Sequence, residues 1–206
     1  REIVKTVKKI SLEELANLII RGGWPANINV AKDKYGLMPK YYINSILEKD
    51  IYESKNVDSV KMQKLLKSLA RNESTVVSNN KLIKDISDND DLNIDKRTVS
   101  DYIEILEKLN LFSNQLSYST NYRSPERVGK NVKRHFTDPS LAAALLNMNA
   151  NKLIADLKTF GFLFEALVER DLKIYMDYLD GNLYHFRDNV TGLEVDSILE
   201  FPDGEY

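Results

Sequence analysis

Three carboxylates near the end of the chain are the residues best suited to chemistry. In "GLEVDSILEF", strand alternation places Glu194, Asp196 and Ile198 on one face and Val195 and Leu199 on the other. Glu165, in "GFLFEALVERDL", lies on a helix beside its apolar face. A helix acid packed near a strand acid can chelate a hard cation such as Mg²⁺ or Mn²⁺, because carboxylate oxygens suit such ions. The ion would polarise a phosphodiester and lower the pKa of an attacking water. In a chain of which 29% is charged, the same acids also read as a solvated face, and spacing alone favours that plainer reading.

The elements that must position these acids follow from periodicity. "SLEELANLII" is a helix with Ser11 as N-cap and Glu14 three residues on, a capping box. Gly22 and Gly23 of "GGWP" stop it, and Trp24 packs the turn onto the helices around it. Helical spacing resumes in "PKYYINSILEKDIYE" through Tyr42, Ile46 and Tyr52. Three further helices are expected. One carries Met62, Leu65, Leu66 and Leu69, a short one carries Leu82, Ile83 and Ile86, and a third capped by Asp95 carries Val99, Tyr102, Ile103, Leu106 and Leu109. "LFSNQLSYS" then alternates as a strand, giving the element order of a winged helix-turn-helix.

"KRHFTDPSLAAALLN" reads as a strand entering a helix capped at Asp138 or Ser140. "FGFLFEALVERDLKIYMDYL" reads as the longest helix, with Phe164, Val168, Leu172, Tyr175 and Leu179 on its apolar face. Two strands, "NLYHFRD" and "LEVDSILEF", flank a turn at "NVTG". His135 and His185 fall in strand alternation without metal-ligand spacing, which points to packing or surface roles.

The order of "GGWP", a winged helix, "KRHFTDPSLAAALL", "GFLFEALVERDL" and "HFRDNVTGLEVDSIL" resembles the C-terminal half of a family of bacterial and archaeal AAA-type ATPases. That half combines a winged helix with a fold like PD-(D/E)XK restriction endonucleases. The resemblance implies an α+β, mostly helical chain with an N-terminal helical segment over 1–56. A winged helix over 57–135 and a partial nuclease-like α/β unit over 136–206 complete it. It also implies that Glu165 and Asp196 are the catalytic and metal-binding acids, with Mg²⁺ as the ion in the full-length protein. A later strand carrying Glu-x-Lys would supply the third ligand and the lysine. Both ends look like cuts in a longer protein, so tight binding of a cofactor to this piece is not expected.

Composition narrows the partners. The 206 residues hold Lys+Arg 29 against Asp+Glu 31, so any attraction to nucleic acid must come from a local patch. Lys96 and Arg97 at the start of the third winged-helix element could face bases or phosphates, although Asp101, Glu104 and Glu107 follow on the same helix. The better basic stretch is "YRSPERVGKNVKR", where Arg123, Arg127, Lys130, Lys133 and Arg134 could clamp a backbone without reading sequence. Weak, non-specific DNA contact and docking of the parent ATPase domain are about equally supported, and a homo-oligomer is a further expectation. Nucleotide binding by this chain is not expected. No G-x-x-x-x-G-K-[ST] occurs, and "VGKN" at Gly129–Lys130 lacks the first Gly and the hydroxyl residue. The absence of cysteine and of any apolar run near the roughly 20 residues of a membrane span suits a cytoplasmic protein.

Overall fold

The computed structural model describes residues 9–51, 57–87, 93–188 and 190–205. Tyr52, Asp88 to Asp91 of the acidic loop and Asn189 of the "NVTG" turn lie outside them. The chain is α+β, with eight α-helices and one four-stranded mixed sheet among the described residues. No described helix is long and apolar enough to cross a membrane.

Helix α1 (Leu12–Arg21) begins as its capping box requires. Ser11 Oγ accepts from Glu14 N, and the Glu14 side chain takes the Ser11 N–H in return. It ends at Gly22, whose φ of 63° and close packing both require glycine. A Cβ there would sit 2.5 Å from Ser140 Oγ and 2.6 Å from Asp138 Oδ1. The following turn is clasped to helix α6 (Pro139–Leu145). Gly23 N donates to Asp138 Oδ2 at 2.7 Å, and Trp24 Nε1 donates to Ser140 Oγ at 2.8 Å. Arg170 Nη1 donates to the same Asp138 oxygen at 2.8 Å. Asp138 is also the N-cap of α6, accepting from Ser140 N, so one carboxylate ties three elements together. Trp24 meets Tyr42 ring to ring at 4.9 Å, on helix α2 (Leu37–Ile46), which continues as a wider π-turn over Leu47–Ile51.

Helices α3 (Ser59–Arg71), α4 (Asn79–Ser87) and α5 (Lys96–Lys108) carry the expected apolar stripes inward. Met62, Leu65, Leu82, Val99 and Leu106 are fully buried, each contributing about 1.5–3 kcal/mol. Asp58 and Asp95 cap α3 and α5. Strand β1 (Phe112–Ser117) pairs antiparallel with β2 (Lys133–Phe136), and a single bridge joins Thr75 to Arg134.

Helix α7 (Ala150–Ala155) adds a short element that periodicity does not reveal. Helix α8 (Leu157–Tyr178) follows it, and then β3 (Asn182–Arg187) and β4 (Glu194–Glu200). The sheet order is β2-β1-β3-β4, with β3 parallel to β1 and antiparallel to β4. One core runs across 56/57 and 135/136, and the sheet runs across 135/136.

The face of α8 differs from the expected one. Phe164, Val168, Tyr175 and Leu179 are exposed, while Phe160, Leu163, Ala166, Leu167 and Met176 are buried together with Glu169. The helix is apolar on more than one side, so periodicity alone offers two stripes. The sheet decides between them, because β2 presents Lys133 and His135 and draws Glu165 and Glu169 inward.

Candidate functional site

Alternation in β2 points Lys133 and His135 to one side of the sheet and Arg134 to the other. On the α8 side, Glu165 and Glu169 stand one helical turn apart and face these two residues. Across the sheet, β4 brings Glu194 and Asp196 to the same place. Lys133 Nζ donates to Glu165 Oε1 at 2.7 Å and to Asp196 Oδ1 at 2.9 Å, with Glu194 Oε1 at 3.5 Å. The helix acid and the strand acid expected to meet do meet, but around an ammonium.

The Lys133 side chain is 2% exposed, whereas Glu165 is 21%, Glu194 39% and Asp196 59% exposed. The site is thus a buried cation under a lid of carboxylates that open outward. Burial pulls the Lys133 pKa down, but hydrogen bonds from Glu165 and Asp196 outweigh it and hold the group above its ordinary value. Burial raises the Glu165 pKa, and the Lys133 ammonium opposes that rise without cancelling it. Of the three N–H donors of the ammonium, two go to Glu165 and Asp196, and Glu194 adds an ion pair.

Behind Lys133 lies a neutral hydrogen-bonded chain. Gln115 Nε2 donates to the Asp196 carbonyl at 2.9 Å, so its Oε1 is free to accept from His135 Nε2 at 3.2 Å. His135 Nδ1 then needs a donor. Ser74 Oγ, at 3.3 Å, donates its proton to the Phe162 carbonyl instead. Glu73 Oε1, also at 3.3 Å, meets the need if its carboxyl is protonated. Burial pushes the Glu73 pKa up to about 8, against hydrogen bonds from the Phe136 and Ser74 backbone that lower it. Burial likewise lowers the pKa of His135 and keeps it uncharged. The network assigns the Nε2–H tautomer to His135. His185, also fully buried, donates Nε2–H to the Asn131 carbonyl at 2.8 Å, and its Nδ1 has no partner among the described residues.

The seven cations expected to hold DNA divide into two groups. Lys96, Arg97, Arg123 and Lys130 are exposed, although Arg97 lies 3.9 Å from Asp101 and Lys130 3.8 Å from Glu126. The other three do not form the expected backbone clamp. Arg127 is bidentate to Glu200, its charge lying 4.6 Å from the Tyr122 ring centroid and 5.2 Å from those of Tyr118 and Tyr184. Lys133 is the buried ammonium. Arg134 Nη2 donates to Asn79 Oδ1 at 2.7 Å, while its Nε and Nη1 are buried. All three sit on or against the sheet, Arg127 and Lys133 on acids and Arg134 on the Asn79 amide.

Lys133 sits where the acids converge, the place a divalent ion would take. One oxygen each of Glu165, Glu194 and Asp196 faces the ammonium, and among the described residues no set of three His, Cys, Asp or Glu groups is arranged to hold a metal. Lys133, Glu73, His135, Gln115 and Glu169 were not foreseen as parts of one cluster. The available signal was the alternation of Lys133 and His135 in "KRHF" opposite Glu165 and Glu169 at i and i+4. No curated protein and no solved structure is significantly similar to the chain. Its family is nevertheless defined: residues 12–152, which include the "GGWP" turn, Asp138 and Lys133, match a domain of unknown function, DUF8612, and the chain belongs to that family.

Proposed function

We propose that this chain is a nucleic-acid-associated module that holds DNA without cutting it, joining a winged helix to a nuclease-like unit. The order α3, α4, α5, β1, β2 supports the winged helix, as does the Thr75–Arg134 bridge, which adds a third edge to the hairpin. The meeting of a helix acid with a strand acid supports the nuclease-like unit. The resemblance of its motif order to AAA-type ATPases makes an ATPase the parent protein in this reading. One observation carries the non-cutting assignment: the Lys133 ammonium occupies the centre of the acids, where a nuclease would place its Mg²⁺.

The expected DNA contact is weak, indifferent to sequence and steeply salt-dependent, because exposed Lys96, Arg97, Arg123 and Lys130 would act through phosphates. Replacing all four with Ala should weaken binding to unrelated duplexes equally and reduce the salt dependence, by about one unit of slope per lost phosphate contact. Absence of binding at low salt would sink this reading. The nuclease alternative predicts nicking of plasmid DNA with Mg²⁺ or Mn²⁺, lost in Asp196→Ala. The present reading predicts no nicking with either ion.

A protein-docking module is the second reading. The outward face of α8 favours it, with Phe164, Val168, Tyr175 and Leu179 between 37% and 61% exposed. In that case the ATPase domain of the parent chain is the natural candidate partner.

A further inference from the structure

The largest cavity among the described pockets, about 730 Å³, lies well away from Lys133, where α1, α2, α6 and α7 meet. It shares Lys40, Ala144 and Asn147 with a second depression of about 260 Å³, and Asn17 and Lys32 with a third of about 250 Å³. The three are therefore neighbours along one trough-like surface. Its wall follows a single face of α2 and the π-turn after it, through Leu37, Lys40, Ile43, Asn44 and Leu47. That stretch is about 15 Å long at 1.5 Å per residue, the length of about five extended residues of a bound chain.

The lining defines the occupant. Arg21, Lys32, Lys40, Lys67 and Lys152 stand against Glu13, Glu14 and Asp33, five cations to three acids. Glu14 is engaged in its capping box, whereas the Lys32 and Lys40 side chains form no ion pair or hydrogen bond among the described residues. The floor is apolar, formed by buried Ile20, Ala143 and Ala144. Asn44, Gln63 and Asn151 line the trough with side-chain amides that carry no hydrogen bond among the described residues. Exposed amides beside an apolar floor match a polypeptide, whose every unit offers a donor and an acceptor. The three acids, and the lack of a row of aromatic rings, suit a phosphate chain and its stacked bases poorly.

We propose that this trough binds an extended acidic peptide segment of a partner protein, its carboxylates against Lys32 and Lys40 and alternate apolar side chains on the floor. The site is separate from the Lys133 cluster and does not depend on whether the chain touches nucleic acid. The probe is a fluorescein-labelled decapeptide of alternating Glu and Leu, measured by anisotropy against the 206-residue chain. Saturable binding is expected, about tenfold tighter than for the matching Lys–Leu peptide or an equally labelled oligothymidine, and about tenfold weaker after Lys32→Glu with Lys40→Glu. Both substitutions fall on exposed side chains, so an unchanged thermal melt confirms that the variant is folded. No saturable binding, equal affinity for the lysine peptide, or indifference to the charge reversals would overturn the proposal. Preference for the oligothymidine would reassign the trough to a nucleic acid.

Discussion

Two carboxylate–cation clusters flank helix α8, and they differ in which partner is buried. At the clasp, Asp138 is 13% and Arg170 18% exposed, and the acid also holds Gly23 and the first turn of α6. At the Lys133 site the cation is buried, while two of its three acids are largely open to solvent. The first arrangement joins elements and leaves little free on either side. The second keeps a fixed charge beneath acids whose outer oxygens remain available. A fold that needed only an internal tie had no reason to leave Asp196 59% exposed.

The sharpest way to break this comparison is to remove one acid from each cluster. Asp138→Ala leaves Arg170 with Asp171 alone and frees both Gly23 N and the α6 cap, and should cost about 2–3 kcal/mol in denaturant unfolding. Asp196→Ala removes a mostly exposed partner and should cost less than about 1 kcal/mol. Equal losses would erase the distinction drawn between the clusters. Lys133→Met leaves Glu165 half-buried without its cation and should also cost about 2–3 kcal/mol. Adding Glu165→Gln should recover part of that loss, with a coupling of about 1–3 kcal/mol in a double-mutant cycle.

Glu73 gives a pH test of the neutral chain behind Lys133. Its carboxyl ionises near 4.5 in the unfolded chain and near 8 in the folded protein. Folding therefore takes up a proton between those values, and this group's contribution is fully present below about pH 4.5 and lost as the pH rises through 8. Glu73→Gln keeps a donor for His135 and an acceptor for Phe136 but cannot ionise. Its stability relative to the native chain should rise across that window by at most about 1.4 kcal/mol per pH unit. A difference that stays flat with pH would mean that Glu73 is charged.

Much of this fold is legible in local signals. Ser11 with Glu14, Asp95 and Asp138 mark helix starts through hydrogen bonds made within a few residues. The stripes of α3 to α5 are legible because each of those helices has one apolar side. Helix α8 has more than one, and only the polar face of the sheet decides which turns inward. The site is half legible for the same reason. Glu165 and Asp196 stand out as acids next to apolar runs, but Lys133 lies in a basic stretch whose other members Arg123 and Lys130 are exposed. Its inward direction follows from β2 pairing with β1, a contact that no local pattern encodes.

The most direct test concerns the charge state and company of Lys133. In protein carrying ¹⁵N-labelled lysine, a buried ammonium among three carboxylates should give a protected Nζ resonance that Mn²⁺ does not abolish, because the ammonium already fills the point where the acids converge. That resonance should disappear in Lys133→Met and persist in Lys130→Ala. Broadening of the Lys133 signal by Mn²⁺, relieved in Asp196→Ala, would place a metal among these acids and contradict the assignment of Lys133 as their resident cation.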